Sequence, residues 1–515
     1  MNGMWNGIPI LTLMTVLPVV GAAIALFSGK HARGVALVTT LAGLALALLV
    51  WTHLPADGSI GLVERVAWAP SLGIEYHLGV DALGALMLVL SAIVTLMSVD
   101  AAHRVHHQPG LYFALVLVLQ AGLFGSFTAL NFFHWFLFWE LSLIPAFFLI
   151  KLWGGSKRGP AATQFFIYTM AGSVALLLAF LAVFLSTGSM DFGQLTQMAA
   201  TGELEKLVTV HLGSVVLGGP VMMWLAIGVL AGFAVKVPMI PFHTWLPAAY
   251  SEAPSPVTML LTGAMSKMGV YGLLRIALPI FGHQISQMRT PLLVLAVMTV
   301  VMGAWAAAAQ KDLKRVFAYS SVNHLGYCLL GIFALAVPAA GAATVTSQAA
   351  ALNGVILQMF NHGITAAALF WFVAMIQQRT GGHRGIDDFG GLRKPAPVLA
   401  GLMGIALFSS LGLPGLNGFV GEFLIFRGVF PLSWIAATFS ILGLLVTAVV
   451  ILTVIQKVFN GPVAEHCVGF PDLHHGERLA MAPVIGLMLL IGVLPQLIVS
   501  SVNPTVVNLL AHWRF

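Results

Sequence analysis

Apolar runs long enough to cross a membrane recur along the whole chain, at about 8–28, 34–54, 81–101, 111–130, 132–152, 161–186, 220–249, 254–282, 290–309, 314–336, 346–377, 396–427, 433–457 and 479–501. A helix needs roughly 20 such residues to span the hydrocarbon core of a bilayer. In that solvent every backbone amide must be paired internally, so helices are the form open to these runs. Charged residues make up only 8% of the chain, against about 25% in soluble domains. The expected fold is an all-α polytopic membrane protein of about 14 transmembrane helices. The net charge of +6 is a topology signal and not a nucleic-acid signal. Loops after odd-numbered spans hold basic groups such as Lys30, Arg33, Arg104, Lys157, Arg158, Lys311, Lys314, Arg315, Arg393 and Lys394. The other side and the helix ends hold fewer, among them Arg65, Lys206, Arg275, Arg289 and Arg514. By the positive-inside rule both termini are expected on the non-cytoplasmic side of a bacterial inner (plasma) membrane. The first run lacks a basic flank and a small-residue cleavage site, so no cleavable signal is expected.

The stretch from Gly228 to Arg275 departs most from a plain span. Lys236 and Lys267 stand where hydrocarbon should be, and prolines occur at 238, 241, 247, 254 and 256. Pro238 and Pro241 each remove a backbone donor and disfavour helical geometry in the preceding residue. A helix broken in this way persists at membrane depth only where protein or a water-filled cavity satisfies the freed carbonyls. A buried ammonium beside such a break reads as an ion-handling site, the alternative being a lysine that snorkels to the interface.

Glu140 sits inside another span, between Trp139 and Leu141. A carboxylate near the bilayer centre costs roughly 2.5–3.5 kcal/mol on insertion scales. It is either a carboxyl kept neutral or a proton carrier paired with a cation on another helix, with Lys236 or Lys267 as the expected partner. His324 lies about two turns into its span beside Ser320, Ser321 and Asn323, and His362 lies within the long run 346–377. Each is either a hydrogen-bonded core residue or part of a relay that uses the near-neutral titration of imidazole. A second interrupted span, FSSLGLPGLNGFVGEFLIF at 408–426, carries Gly412, Pro414, Gly415 and Gly418, with Glu422 beyond the break. Glu422 is either a relay carboxylate or a group snorkelling near a helix end. Spans 7 and 12 are thus discontinuous and five apart, and an odd offset reverses membrane direction. That is the mark of inverted repeats, helices 4–8 and 9–13. The expected division is 1–105 for helices 1–3, 106–285 for the first repeat, 286–460 for the second, and 461–515 for helix 14 and the tail. Asp81, in GVDALG, is expected to cap helix 3, and the acidic loop with Asp191, Glu203 and Glu205 is expected to be solvated. Cys328 and Cys467 are too few and too separated for a metal or redox centre, and no flavin, haem or dinucleotide fingerprint appears. No cofactor and no catalytic redox site are expected.

Four motifs together, FFHWFLFWELSLIPAFFLIKLWGG, VKVPMIPFHTWLPAAYSEAPSPVTMLLTGAMSKMGVYGLLR, KDLKRVFAYSSVNHLGY and GLPGLNGFVGEF, resemble the antiporter-like membrane subunits of respiratory complex I. Within that group the chain is most similar to the subunit M type, since Glu422 stands where the subunit L type has lysine. The resemblance implies a 14-helix fold and a proton relay through Glu140, Lys236, Lys267, His324, His362 and Glu422, with helix breaks at Pro238 and Pro414. It implies a translocase subunit without a redox site of its own. The partners it implies are neighbouring antiporter-like subunits in the lipid bilayer and, indirectly, peripheral NADH- and quinone-reacting subunits. Similar subunits also occur in multi-subunit Na+/H+ antiporters, membrane-bound hydrogenases and inorganic-carbon uptake complexes. One departure stands out: where the family commonly reads WLPDAH, this chain reads WLPAAY, with Ala248 and Tyr250.

Overall fold

Long runs of Leu, Val, Ala and Phe without polar punctuation close into helices, and the exceptions mark where the chain does something else. The computed structural model describes residues 9–69, 74–216 and 218–515. The helices are α1 (Ile10–Phe27), α2 (Ala32–Thr52), α3 (Ala82–Ala101), α4 (Pro109–Thr128), α5 (Phe132–Trp153) and α6 (Arg158–Thr187). Two short helices follow, α7 (Phe192–Thr201) and α8 (Glu203–Leu212), then α9 (Val221–Lys236) and α10 (Trp245–Glu252). The second half holds α11 (Ser255–Gln287), α12 (Arg289–Ala308), α13 (Leu313–Ala334) and α14 (Ala342–Arg379). It ends with α15 (Pro397–Leu411), α16 (Asn417–Leu432), α17 (Trp434–Phe459), α18 (His475–Val493) and α19 (Gln496–His512).

Twelve of the described helices are long and apolar enough to cross a membrane. The two shorter apolar ones, Val221–Lys236 and Pro397–Leu411, are the first halves of the broken spans. The chain is therefore a 14-span membrane protein, with α9–α10 and α15–α16 each the fourth member of a five-span inverted repeat. The first expected span begins at residue 8, outside the described residues. An 18-residue stretch of α11 and another of α14 are buried at every residue by their neighbours, while in the corresponding stretches of α1, α2 and α18 fewer than half of the residues are buried. The helices that carry Lys267 and His362 thus form the centre of the bundle, and the rest insulate them from lipid.

Two connections differ from the loops expected. The segment holding Glu64, Arg65 and Glu75 is an antiparallel hairpin, β1 (Gly61–Ala69) paired with β2 (Ile74–Val80). Glu64 turns back to accept from the Leu11 and Thr12 amides at 2.7 and 3.1 Å, which fixes the hairpin to the start of α1. The acidic loop is folded into α7 and α8. Glu203 and Glu205 are exposed as expected, but Asp191 is buried, capping α7 through the Gln194 amide at 3.0 Å and contacting His77 at 2.6 Å. Sequence counts this carboxylate as solvated because nothing local shows that the hairpin will fold over it. Asp81 caps α3 through the Gly84 amide at 3.1 Å, as the GVDALG pattern predicts.

Candidate functional site

The first break runs over residues 237–244. It is tolerated because its orphaned backbone groups find partners elsewhere: the Val235 carbonyl accepts from Trp245 Nε1 at 3.0 Å, and the Ile240 amide donates to Thr299 Oγ1 at 3.0 Å. Lys236 ends α9 and is 3% exposed. Its ammonium lies 4.6 Å from the ring centre of Trp139, whose indole N–H donates to Ser173 Oγ at 2.9 Å. A cation over an indole face is attracted by the ring quadrupole. Glu140, the next residue of α5, is the acid whose charge acts on Lys236. The two do not form a direct ion pair: Glu140 is half-buried and neither carboxylate oxygen has a hydrogen-bond partner among the described residues. The expected Glu140–Lys236 partnership is therefore an electrostatic one, with no direct contact.

Lys267 sits in a different setting. Just before it, α11 loosens into a π-helical turn at Leu261–Met265, which redirects carbonyls that an α-helix would consume. The Lys267 ammonium donates to one of them, Thr262 O, at 2.5 Å, and to His362 Nδ1 at 2.7 Å. In the same turn the Leu261 carbonyl accepts both the Ser266 amide at 3.1 Å and the Tyr250 hydroxyl at 3.0 Å. Tyr250, one of the two departures in WLPAAY, is thus tied into the same turn as the lysine.

From His362 the line continues. The His362 and His324 rings are 5.2 Å apart, centre to centre. His324 Nδ1 meets Glu422 Oε1 at 3.0 Å, and its Nε2 meets Ser410 Oγ at 3.1 Å. These partners assign the tautomers: His362 Nδ1 accepts from lysine, so its proton is on Nε2, while His324 Nδ1 donates to the carboxylate. Gln358 Nε2 adds a second donor to Glu422 at 3.3 Å. A small cavity of about 20 Å³ lies along this line, walled by Ser320, Ser321, His324, Gln358, His362, Thr365, Ser410 and Glu422 among others. Polar walls with unspent donors and acceptors are the setting in which buried water is held.

The second break holds Glu422 in place. α15 ends at Gly412, whose φ of +79° is the left-handed region that favours glycine. A Cβ there would stand 2.7 Å from Glu422 Oε2, so glycine also leaves room for the carboxylate. Asn417 and Asn361 clamp the interrupted helix to α14, each side-chain amide donating to the other's backbone carbonyl, at 3.3 and 2.6 Å.

Of the six residues predicted from sequence, Lys267, His362, His324 and Glu422 form one contiguous line. Glu140 and Lys236 stand apart, with no hydrogen bond joining them to it among the described residues. Sequence reasoning also undercounted the buried charges. Arg275, placed at a helix end, is 7% exposed and bound to Asp81 at 2.5 Å. Lys314, placed in a surface basic cluster, is 3% exposed and donates to Ala253 O at 2.5 Å, where α10 gives way to α11. Lys236 and Lys267 are therefore not the only cations inside the bundle. The available signal for Arg275 was its place on the same apolar run as Lys267. Lys314 gave no such signal, because KDLKR looks the same whether or not one lysine turns inward.

Fourteen spans, two of them broken, around a buried line of lysine, imidazole and carboxylate define a membrane ion-handling protein. Residues 129–451 match the family described as NADH:quinone oxidoreductase/Mrp antiporter, transmembrane, and the chain belongs to that family. It is 34% identical to NADH-quinone oxidoreductase subunit M of Rhodobacter capsulatus, over 98% of this chain and 97% of that one. Its fold matches a chain of respiratory complex I from Thermus thermophilus with a TM-score of 0.85 and 28% identity, covering 98% of this chain and 100% of that one. It also matches a chain of the Mrp complex from Dietzia sp. DQ12-45-1b, at a TM-score of 0.83 and 23% identity over 97% of each, a likeness of fold alone.

Proposed function

We propose that this chain is a proton-translocating membrane subunit of a complex I–type NADH:quinone oxidoreductase. The observation that carries the proposal is the unbroken contact line from Lys267 through His362 and His324 to Glu422. Each member can hold or release a proton, and each faces the next within hydrogen-bond or ring-contact reach. In low dielectric a proton gained at one site changes the affinity of its neighbour strongly. Glu140 and Lys236 act on this line from a distance: with Trp139 beside the ammonium, a change at Glu140 alters Lys236 through its field and not by direct transfer. Moving a proton against 100 mV requires about 2.3 kcal/mol, which redox chemistry in partner subunits supplies. The chain itself holds no redox site in this reading.

The same reading puts the chain in a bacterial inner membrane, with both termini on the non-cytoplasmic side, because its basic loops gather on the face opposite the hairpin. It also divides the chain at the expected boundaries: 1–105, 106–285, 286–460 and 461–515. A chain of the Mrp complex shares the fold, and a sodium–proton antiporter subunit is the alternative reading, so the deciding experiment separates the two ions. The complex is purified through this chain, reconstituted in vesicles and energised with NADH and quinone. Acidification of the lumen that needs NADH and persists without sodium supports the proposal. Proton flux that needs a sodium gradient and ignores NADH would refute it.

A further inference from the structure

A second cavity, of about 650 Å³, opens on the hairpin face, between β2, α7, the far end of α11 and α19. Arg275 and Trp513 both line it. Arg275 is bound to Asp81, yet its Nε–H has no acceptor among the described residues, and neither has the Nε1–H of Trp513, which is 3% exposed. Buried donors left unmet are costly, and two of them in the wall of one cavity are a reason to expect an acceptor there. Guanidinium and indole only donate. The carboxylates facing the space are already occupied: Asp81 by Arg275 and the Gly84 amide, Asp191 by His77 and the Gln194 amide. At the rim, Arg514 is exposed and forms no ion pair among the described residues. Leu130, Phe192 and Leu509 give the remaining wall an apolar character.

We infer that this cavity binds a phosphate-type anion, with Arg514 and the Arg275 guanidinium supplying charge and Trp513 a directed N–H. Arginine suits that ligand because its fork of donors matches phosphate oxygens two at a time. The phosphate comes either from the headgroup of an anionic phospholipid, whose chains the apolar wall would accommodate, or from free phosphate. The inference does not depend on the proton reading, since the cavity lies off the relay.

The test uses the full-length chain in its purified complex, compared with Arg514→Gln combined with Trp513→Phe, changes that leave the Asp81–Arg275 pair in place. Native mass spectrometry counts phosphatidylglycerol and phosphatidylcholine retained from mixed vesicles, and thermal unfolding is followed with inorganic phosphate. Preferential retention of phosphatidylglycerol, weakened about tenfold in the double variant on the scale of one charge-assisted hydrogen bond, supports the site with a lipid as source. A phosphate-dependent rise in unfolding temperature that the double variant loses supports it with free phosphate as source. Equal retention of both lipids with no phosphate effect, or binding unchanged in the double variant, would overturn it.

Discussion

Replacing Glu422 by Gln tests the relay with little change of shape. The carboxylate accepts from His324 Nδ1 at 3.0 Å and from Gln358 Nε2 at 3.3 Å, and it is 5% exposed. Hydrogen bonds to a charged acceptor contribute about 1.5–3 kcal/mol and neutral ones about 0.5–1.5, so the amide weakens each bond by about 1 kcal/mol. Against that, removing a buried charge recovers desolvation energy of similar or larger size. The two effects oppose, and the fold should hold with a stability change of about 1 kcal/mol. Transport should not hold, because an amide neither takes up nor releases a proton in this range. The assay is NADH-driven acidification of vesicles containing the reconstituted complex, normalised to the NADH oxidation rate. E422Q is expected to lower the ratio of protons to NADH, with assembly and unfolding temperature close to wild type. E422D keeps a titratable group but draws it back by one carbon–carbon bond, about 1.5 Å. That stretches the contact with His324 beyond hydrogen-bond length, so partial pumping is expected. A full wild-type ratio in E422Q would refute the reasoning, since the line would then not run through this carboxylate.

Three other outcomes are expected. Lys236→Ala should abolish this chain's share of proton pumping while leaving assembly intact, because its ammonium lies over the Trp139 ring and makes no direct ion pair among the described residues; blue-native gels beside the vesicle assay check both halves. Gly412→Ala should lower stability by about 1–2 kcal/mol, since φ is +79°, and should also impair pumping because the added carbon would crowd Glu422; unfolding temperature and proton flux read the two effects. At the hairpin, burial pushes the Asp191 carboxyl up, but hydrogen bonds from His77 and the Gln194 amide, with the charges of His77 and Arg65, outweigh it and hold its pKa below the usual 3.8. Stability from a depressed carboxyl is present above the unfolded value and lost as pH falls through the folded one. Hydrogen exchange in β2 should therefore stay slow at pH 5 and quicken only below about 3.8; quickening already between pH 6 and 5 would contradict this assignment.

The spans, their number and the positions of both breaks are legible in the sequence, for a simple reason. In a bilayer the cost of exposing backbone or charge is so large that hydropathy, proline and glycine dictate local structure almost unaided. The ionisable residues at bilayer depth stand out on the same ground. What sequence does not hold is the grouping of those residues. Lys267 meets His362 across 95 positions, and His324 meets Glu422 across 98. Nothing in either local pattern says that this lysine finds an imidazole while Lys236 finds an aromatic face. The Asp81–Arg275 pair, 194 positions apart, escapes for the same reason.

Packing also decides which residues of a given type matter. Lys314 turns inward because a carbonyl freed between α10 and α11 needs a donor, and Asp191 is buried because the hairpin folds across it. Hydrophobicity thus sets what each segment becomes, through one-dimensional information that every residue carries. The proposed relay is set by which helices lie side by side, and that depends on shape complementarity summed over the whole bundle, which no single stretch of the chain contains.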